Sequence, residues 1–247
     1  MRTINQTLPH VKRQARPTGR CNSAPPRRQR GRRATYSRLR RCQPLGAYFS
    51  ASNHYIEASM RIIGGEARGR PLVAPKGRGT RPSPARVREA LFSMLGSRVH
   101  AAQVLDLFAG SGALSLEAVS RGAAHATLVE RDRAARAAIA RNARVVLGNQ
   151  GARTHLDVLA MDITRALGAL QAQGKRYDLV FADPPYGQSL VPRTVRGLQR
   201  AGIVASGGLV VCEHPARERV DVEPPHFGLL ETRKFGDVAM TMWTVEG

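Results

Sequence analysis

VLDLFAGSGALSLEA, Val104 to Ala118, decides how the chain folds. It opens as a short apolar run carrying one acid, Asp106, and closes with the composition of a helix. Between the two lie Gly110 and Gly112. Glycine permits the tight turn by which a strand runs into a helix, and it lets a ligand lie against backbone N–H groups. The stretch therefore reads as the first βα turn of an open α/β sheet. It is not the full dinucleotide pattern G-x-G-x-x-G, because Ser115 stands at the third glycine position, and no G-K-[ST] follows to make a phosphate loop.

The acids near this turn say more about its ligand. A carboxylate at Asp106 repels a pyrophosphate and attracts an ammonium. Glu130 closes the next apolar run, ATLVE, where an acid can accept from two ribose hydroxyls. Asp106, Phe108, Gly110, Gly112 and Glu130 thus form a candidate site for a nucleoside bearing an ammonium and no phosphate, which describes S-adenosylmethionine. Asp162 follows a third run, THLDVLAM, and is placed at the adenine edge, with Asp157 as its rival because the strand boundary is open.

Outward from this turn, apolar runs alternate with helical stretches. The helical DRAARAAIARNARVVLG and ITRALGALQAQG flank the third run, and YDLVFA makes a fourth strand. A helix over roughly 189–200 and a fifth strand, GGLVVCEH, come next, and FGLLETRKF and VAMTMWTV pair across Gly236-Asp237 as a hairpin. The expectation is a three-layer α/β fold whose mostly parallel, seven-stranded sheet ends in an antiparallel hairpin. Upstream, RIIGGEARGRPL reads as two short strands around a basic turn. Ser83 and Pro84 then start a helix whose apolar face is Val87, Leu91, Met94 and Leu95.

The fourth strand runs straight into FADPPYGQS, Phe181 to Ser189. Asp183 falls on the carboxyl rim of the sheet, where ligands bind in such folds. Pro184 and Pro185 remove two backbone donors and fix two φ angles. What remains is a pair of acceptors, the Asp183 carboxylate and the Pro184 carbonyl, beside the flat ring of Tyr186. Two acceptors suit the two hydrogens of an exocyclic amine, and the ring suits the face of a base. Held in this way, the amine nitrogen turns its lone pair out of the ring plane towards an incoming methyl group. Asp183, Pro184 and Tyr186 are the candidate catalytic residues, and this chemistry requires no metal.

The 247-residue chain is long enough for one well-buried domain, and its formal charge is +21. That excess points to an anionic partner, with nucleic acid foremost. Cys21, Cys42 and Cys212 fit neither a zinc pattern nor a disulfide framework. No apolar run suits a membrane span or a signal peptide, so a cytoplasmic protein is expected, with no membrane partner. Residues 1–59 hold 13 Arg or Lys and one acid, Glu57, without helical or strand periodicity. They are expected to be a disordered basic extension. An RNA-binding tail and an organelle-targeting segment are alternatives to the reading favoured here, an over-long gene start, since Met60 directly precedes RIIGG. Residues 60–247 are expected to form the catalytic domain, with a basic hairpin and helix over 60–100 leading into the core. This part still carries about +9. Arg61, Arg68, Arg70, Arg81, Arg86 and Arg88 precede the donor turn and are candidates for gripping RNA phosphates.

RIIGGEARGR, TRPSPARVREALFSML, LDLFAGSGALSLEAVSRGA, TLVERD and FADPPY, in this order, resemble the bacterial 16S rRNA (guanine-966-N2)-methyltransferase family. The resemblance spans about Met60 to Glu246. It implies a class I, Rossmann-like methyltransferase fold, S-adenosylmethionine as donor, and a guanine N2 of small-subunit rRNA as acceptor, within a partly assembled particle and with the enzyme a monomer. The family's aspartate of DPP[YF] matches Asp183, and its strand-end acids match Asp106 and Glu130. Ala85 departs from an acid that the family usually carries, the segment 150–160 is slightly long, and the basic N-terminus is not a family feature. DPPY alone also fits a DNA adenine-N6 methyltransferase or another RNA guanine-N2 enzyme. The former usually needs a target-recognition domain, for which 60–247 has no room.

Overall fold

The computed structural model describes residues 60–75, 85–185, 190–218, 220 and 226–246. The expectations for the N-terminal extension, and for Arg81, Ser83, Pro84 and Tyr186, lie outside the described residues. The strands are β1 (Gln103–Asp106), β2 (His125–Val129), β3 (Leu156–Leu159), β4 (Tyr177–Ala182), β5 (Val204–Pro215), β6 (Phe227–Phe235) and β7 (Val238–Val245). The helices are α1 (Ala85–Leu95), α2 (Ala113–Ser120), α3 (Arg133–His155), α4 (Ile163–Ala172) and α5 (Leu190–Ala201).

All seven strands join one sheet in the order β3-β2-β1-β4-β5-β7-β6. The pairings from β3 to β5 are parallel, and β7 runs antiparallel to both β5 and β6. The mostly parallel sheet with its closing hairpin is the expected class I architecture. Strand order reverses between β1 and β4, and that switch point is where an open α/β sheet leaves a crevice at its carboxyl edge.

Because side chains alternate along a strand, each central strand feeds two cores. Val104, Leu128, Phe181 and Val211 pack with Leu91, Phe92 and Leu95 of α1, Leu116 of α2 and Ile139 of α3. Leu105, Val129, Val180, Val210 and Trp243 pack with Leu167 and Leu170 of α4 and Val195 and Leu198 of α5. Near-continuous apolar runs such as YDLVFA follow from burial on both faces.

Two local expectations need correction. Residues 61–72 do not form two strands. They meet in one antiparallel bridge, Arg61 to Pro71, and Gly65 and Gly69 turn the chain at positive φ. The helix expected to end at Gly148 does break there, but a second helical stretch follows it. Gly148 adopts φ 71°, a kink, and helix continues to His155, which shortens β3 to four residues.

Candidate active site

A cleft of about 1140 Å³ opens at the switch point. The donor turn (Asp106 to Ser111), the β2 end (Glu130 to Asp132), the start of α4 and Asp183 to Pro185 line it, together with Met60, Arg88 and one side of α5. The register explains why these segments meet. Asp106 pairs with Phe181 and Ala182 with Cys212, so the carboxyl ends of β1, β4 and β5 stand side by side.

Asp106 is 2% exposed, and its Oδ2 accepts from Ser115 Oγ at 2.9 Å. Ser115 therefore does in this turn what a third glycine could not, since it supplies a hydroxyl to a buried acid. Burial raises the Asp106 carboxyl to about 6, the Ser115 hydroxyl and the Phe108 N–H partly oppose that, and Glu130 adds repulsion. Glu130 Oε2 accepts from Gly110 N at 2.9 Å and its Oε1 from Asp132 N at 2.8 Å. This carboxylate thus shapes the turn and keeps further lone pairs facing the cleft. Phe108 and Gly110 line the cleft as well.

Gly112 has a different place from the expected ligand contact. It is buried behind the turn at φ 76°, caps α2, and is not among the cleft-lining residues. A Cβ there would stand 3.2 Å from Leu128 and 3.3 Å from Ile139, a crowding that adds to the backbone preference for glycine. Of the two candidates for the adenine edge, Asp162 lines the cleft and caps α4 by accepting from Arg165 N at 3.1 Å. Asp157 sits on β3 beside His125, 3.6 Å away, and does not line the cleft.

Asp183 lines the cleft with Pro184 buried next to it. Its carboxyl is raised well above the ordinary range, first by burial, then by Glu213, then by Asp106. Side-chain alternation puts the three carboxyls on the same face, because Asp183 and Glu213 each follow a registered pair and Asp106 pairs with Phe181. Such a trio resists holding three negative charges and becomes more acidic when a cation enters. Among the described residues, no group of His, Cys, Asp and Glu is arranged to hold a metal ion. No described helix is long and apolar enough to cross a membrane.

The basic residues separate into two groups. Arg61, Arg68, Arg70 and Arg86 are exposed. Arg61 Nη1 donates to Gly69 O at 3.0 Å, and Arg70 Nη1 donates to Val145 O and Val146 O at 2.6 and 3.0 Å. Arg88 departs from the expected surface contact: it is 2% exposed and lines the cleft. Its position three and four residues before Leu91 and Phe92, and seven before Leu95, places it on the buried stripe of α1.

Sequence reasoning missed two features. Glu213 is 6% exposed at the end of VVCEH, and the logic that picked Asp106 and Asp183, an acid closing an apolar strand, applies to it equally. Arg193, Arg196 and Arg200 of α5 are exposed along the cleft, at a spacing of three and four residues that puts them on one helical face.

A family described as Conserved hypothetical protein 95 matches residues 60–244. The chain is 37% identical over 202 residues to Ribosomal RNA small subunit methyltransferase D of Escherichia coli K12, covering 78% of this chain and 94% of that one. Among solved structures, the yhhF protein of Escherichia coli superposes with a TM-score of 0.66 at 36% identity, covering 76% of this chain and 98% of that one. A hypothetical protein of Thermus thermophilus superposes with a TM-score of 0.62 at 38% identity, covering 76% and 99%.

Proposed function

The chain belongs to the Conserved hypothetical protein 95 family and is 37% identical to a ribosomal RNA small subunit methyltransferase D, and from that premise we propose that it transfers a methyl group from S-adenosylmethionine to the exocyclic N2 of a guanine in 16S rRNA. The observation that carries the proposal is the convergence of Asp106, Glu130 and Asp183-Pro184 on one cleft at the switch point.

The residues present fit the donor. The Glu130 carboxylate keeps lone pairs for the ribose hydroxyls beyond those that hold Gly110 and Asp132. The buried Asp106 carboxyl suits an ammonium, whose approach favours its ionised form. Asp162 and Ile163 bound the end of the cleft where the adenine would lie. Bound there, the donor supplies an electrophilic methyl group on a sulfonium.

Asp183 and the Pro184 carbonyl then hold the acceptor amine by its two hydrogens. This grip turns the nitrogen lone pair towards the methyl and replaces a chance encounter by a fixed approach. As the N–C bond forms and the sulfur–methyl bond breaks to leave a neutral thioether, positive charge would build on the nitrogen, and the Asp183 carboxylate would stabilise it. The proton displaced from the nitrogen passes to Asp183, whose raised affinity for protons suits it to accept one. Tyr186 would stack on the base. Arg61, Arg68, Arg70, Arg81 and Arg86, together with Arg193, Arg196 and Arg200 of α5, would hold RNA phosphates. The acceptor is taken to be a small-subunit particle and the enzyme a monomer.

The test is label transfer from methyl-tritiated donor to 30S particles, to naked 16S rRNA and to DNA, followed by mapping of the modified nucleotide. One N2-methylguanine in 16S rRNA is expected. Label confined to adenine N6 of DNA would overturn the assignment.

A further inference from the structure

Glu213 is a buried acid that the mechanism above leaves unused. It is 6% exposed, stands near the end of β5, and does not line the cleft. The sheet fixes where its side chain goes. Val104 of β1, Phe181 of β4 and Val211 of β5 all belong to the core layer that packs with α1, α2 and α3. Asp106, Asp183 and Glu213 each stand two residues further along, so alternation puts all three on that same face. Cys212 pairs with Ala182, so Glu213 follows on β5 as Asp183 follows on β4, one strand spacing of about 4.8 Å away.

The next groups in the chain turn the other way. Cys212 lies in the opposite core layer, and burial, then Asp183, push its thiol well up, so it stays neutral. The His214 ring nitrogens stand 2.9 Å from Thr241 Oγ1 and 3.0 Å from Pro215 O. On β7, Glu213 pairs with Met240, which brings no charge.

Charge reaches Asp183 from several elements. Asp106 stands on β1, and Glu130 acts on it from the end of β2. Arg88 of α1 lines the same cleft, where the carboxylate acting on it is Glu117. Arg193, Arg196 and Arg200 of α5 line it as exposed side chains. The Asp183 carboxyl is raised first by burial, next by Glu213 and then by Asp106. After burial itself, Glu213 is therefore the strongest of the influences that favour a proton on Asp183.

We propose that Glu213 acts through Asp183 as a positioning residue: its carboxylate, set behind Asp183 by the strand register, makes Asp183 a strong enough base to take and keep the proton displaced in methyl transfer. This rests on the methyl-transfer reading above. The N–C bond forms as the sulfur–methyl bond breaks to leave a neutral thioether. An N–H bond of the cationic amine then breaks, and its proton forms an O–H bond on Asp183. The amine becomes neutral, Asp183 becomes a neutral acid, and Glu213 keeps its charge. Asp183 gives the proton to solvent when the product leaves.

The experiment reads the proton affinity of Asp183 in two ways. Single-turnover methyl transfer to small-subunit particles is followed from pH 5 to pH 9, with the donor bound beforehand at saturation. In parallel, NMR follows the carboxyl carbons of a chain labelled at its aspartates, and the resonance missing in Asp183→Asn is that of Asp183. In the wild type the rate should rise with pH as Asp183 ionises, above the ordinary carboxylate range. Glu213→Gln removes a like charge, so the rate limb and the resonance should both move to lower pH, by about one to two units. The plateau rate should fall about three- to tenfold, because a weaker base accepts the proton. Glu213→Asp keeps the charge and should return both midpoints towards the wild type. The affinity for S-adenosylhomocysteine at pH 8 should be unchanged in both variants, since Glu213 does not line the cleft. A rate lowered at every pH with neither midpoint moved would mean a packing role and overturn the proposal. So would movement to higher pH in Glu213→Gln, which would make Glu213 a neutral hydrogen-bond donor to Asp183. A wild-type Asp183 resonance that titrates in the ordinary carboxylate range overturns it even if neither variant folds. A wild type that transfers no methyl group to particles, while its resonance behaves as expected, would instead sink the methyl-transfer reading itself.

Discussion

Asp106→Asn should stabilise the ligand-free protein at neutral pH and weaken donor binding at the same time. The Asp106 carboxyl is held at about 6 in the fold, against 3.8 in a solvated chain. Below pH 3.8 the folded and unfolded chains both keep the proton, and the group adds no pH-linked cost. Between 3.8 and about 6 the unfolded chain releases its proton first, so stability falls as pH rises. Above that window both states are ionised and the whole cost is present, roughly two pKa units or about 3 kcal/mol. An amide at this site has no proton to lose, so its stability lacks this slope. The amide oxygen can still accept from Ser115, and a mismatch with a backbone donor would cost about 1 kcal/mol at every pH alike. The pH-dependent difference is therefore the diagnostic quantity. Urea unfolding from pH 4 to pH 8 should show the variant gaining about 2.5 kcal/mol on the wild type. In the same samples the affinity for S-adenosylhomocysteine should fall about ten- to a hundredfold through loss of the charged bond to the ammonium. A difference that stays flat across this range would refute the burial argument. Wild-type donor affinity in Asp106→Asn would remove the residue from the ligand site.

Glu130→Gln should weaken donor binding by about tenfold or more in calorimetry and leave RNA affinity unchanged, because its carboxylate both shapes the Gly110 turn and faces the ribose position. Asp183→Ala should keep fold and donor binding and lower kcat at least about a hundredfold in single-turnover assays. Asp183→Asn separates the two roles: partial activity would indicate orientation of the amine, and loss equal to that of the alanine variant would indicate charge stabilisation or proton removal. A chain cut to residues 60–247 should melt as one unit and transfer methyl groups to particles. A raised KM for RNA with the melt unchanged would assign an RNA-binding role to residues 1–59.

What was legible in the sequence is what depends on near neighbours. Asp106, Glu130 and Asp183, which line one cleft, stand out in the sequence because each closes an apolar strand, and burial on both faces makes such strands conspicuous. Glu213 obeys the same rule and was overlooked because no turn motif follows it. The G-x-G spacing that points Gly112 at the ligand is local, whereas Leu128 and Ile139, which crowd that position, are distant in sequence. Arg88 was placed on the surface by residue type. Its spacing to Leu91, Phe92 and Leu95 already put it on the buried stripe, so the periodicity was the better guide. The segment 61–72 differs for another reason: it reads as two short strands around a basic turn, and its glycines spread the turn over most of its length.

That segment has a place in the site although it has almost no regular structure of its own. A basic stretch with one isolated bridge would be a loose arm unless something else ordered its backbone. Buried side chains on the helices around the donor turn do so. Glu117 and Ser120 of α2 accept from the N–H groups of Ile63, Gly64 and Ala67, at 2.7, 2.7 and 2.9 Å. Ser120 Oγ in turn donates to Gly64 O at 2.7 Å. Asn142 of α3, 1% exposed, clasps Val73 at both N–H and carbonyl and donates to Ser111 O in the donor turn at 2.9 Å. Buried polar side chains that are satisfied in this way specify one arrangement, because the alternatives leave them unpaired. The exposed Arg61, Arg68 and Arg70 are thus fixed relative to α2, the helix that starts at the donor turn. On the proposed function, an RNA held by these arginines would be referenced to the same rigid parts that hold the methyl donor, and this common frame would let a flexible substrate present one amine within bonding reach of one methyl group.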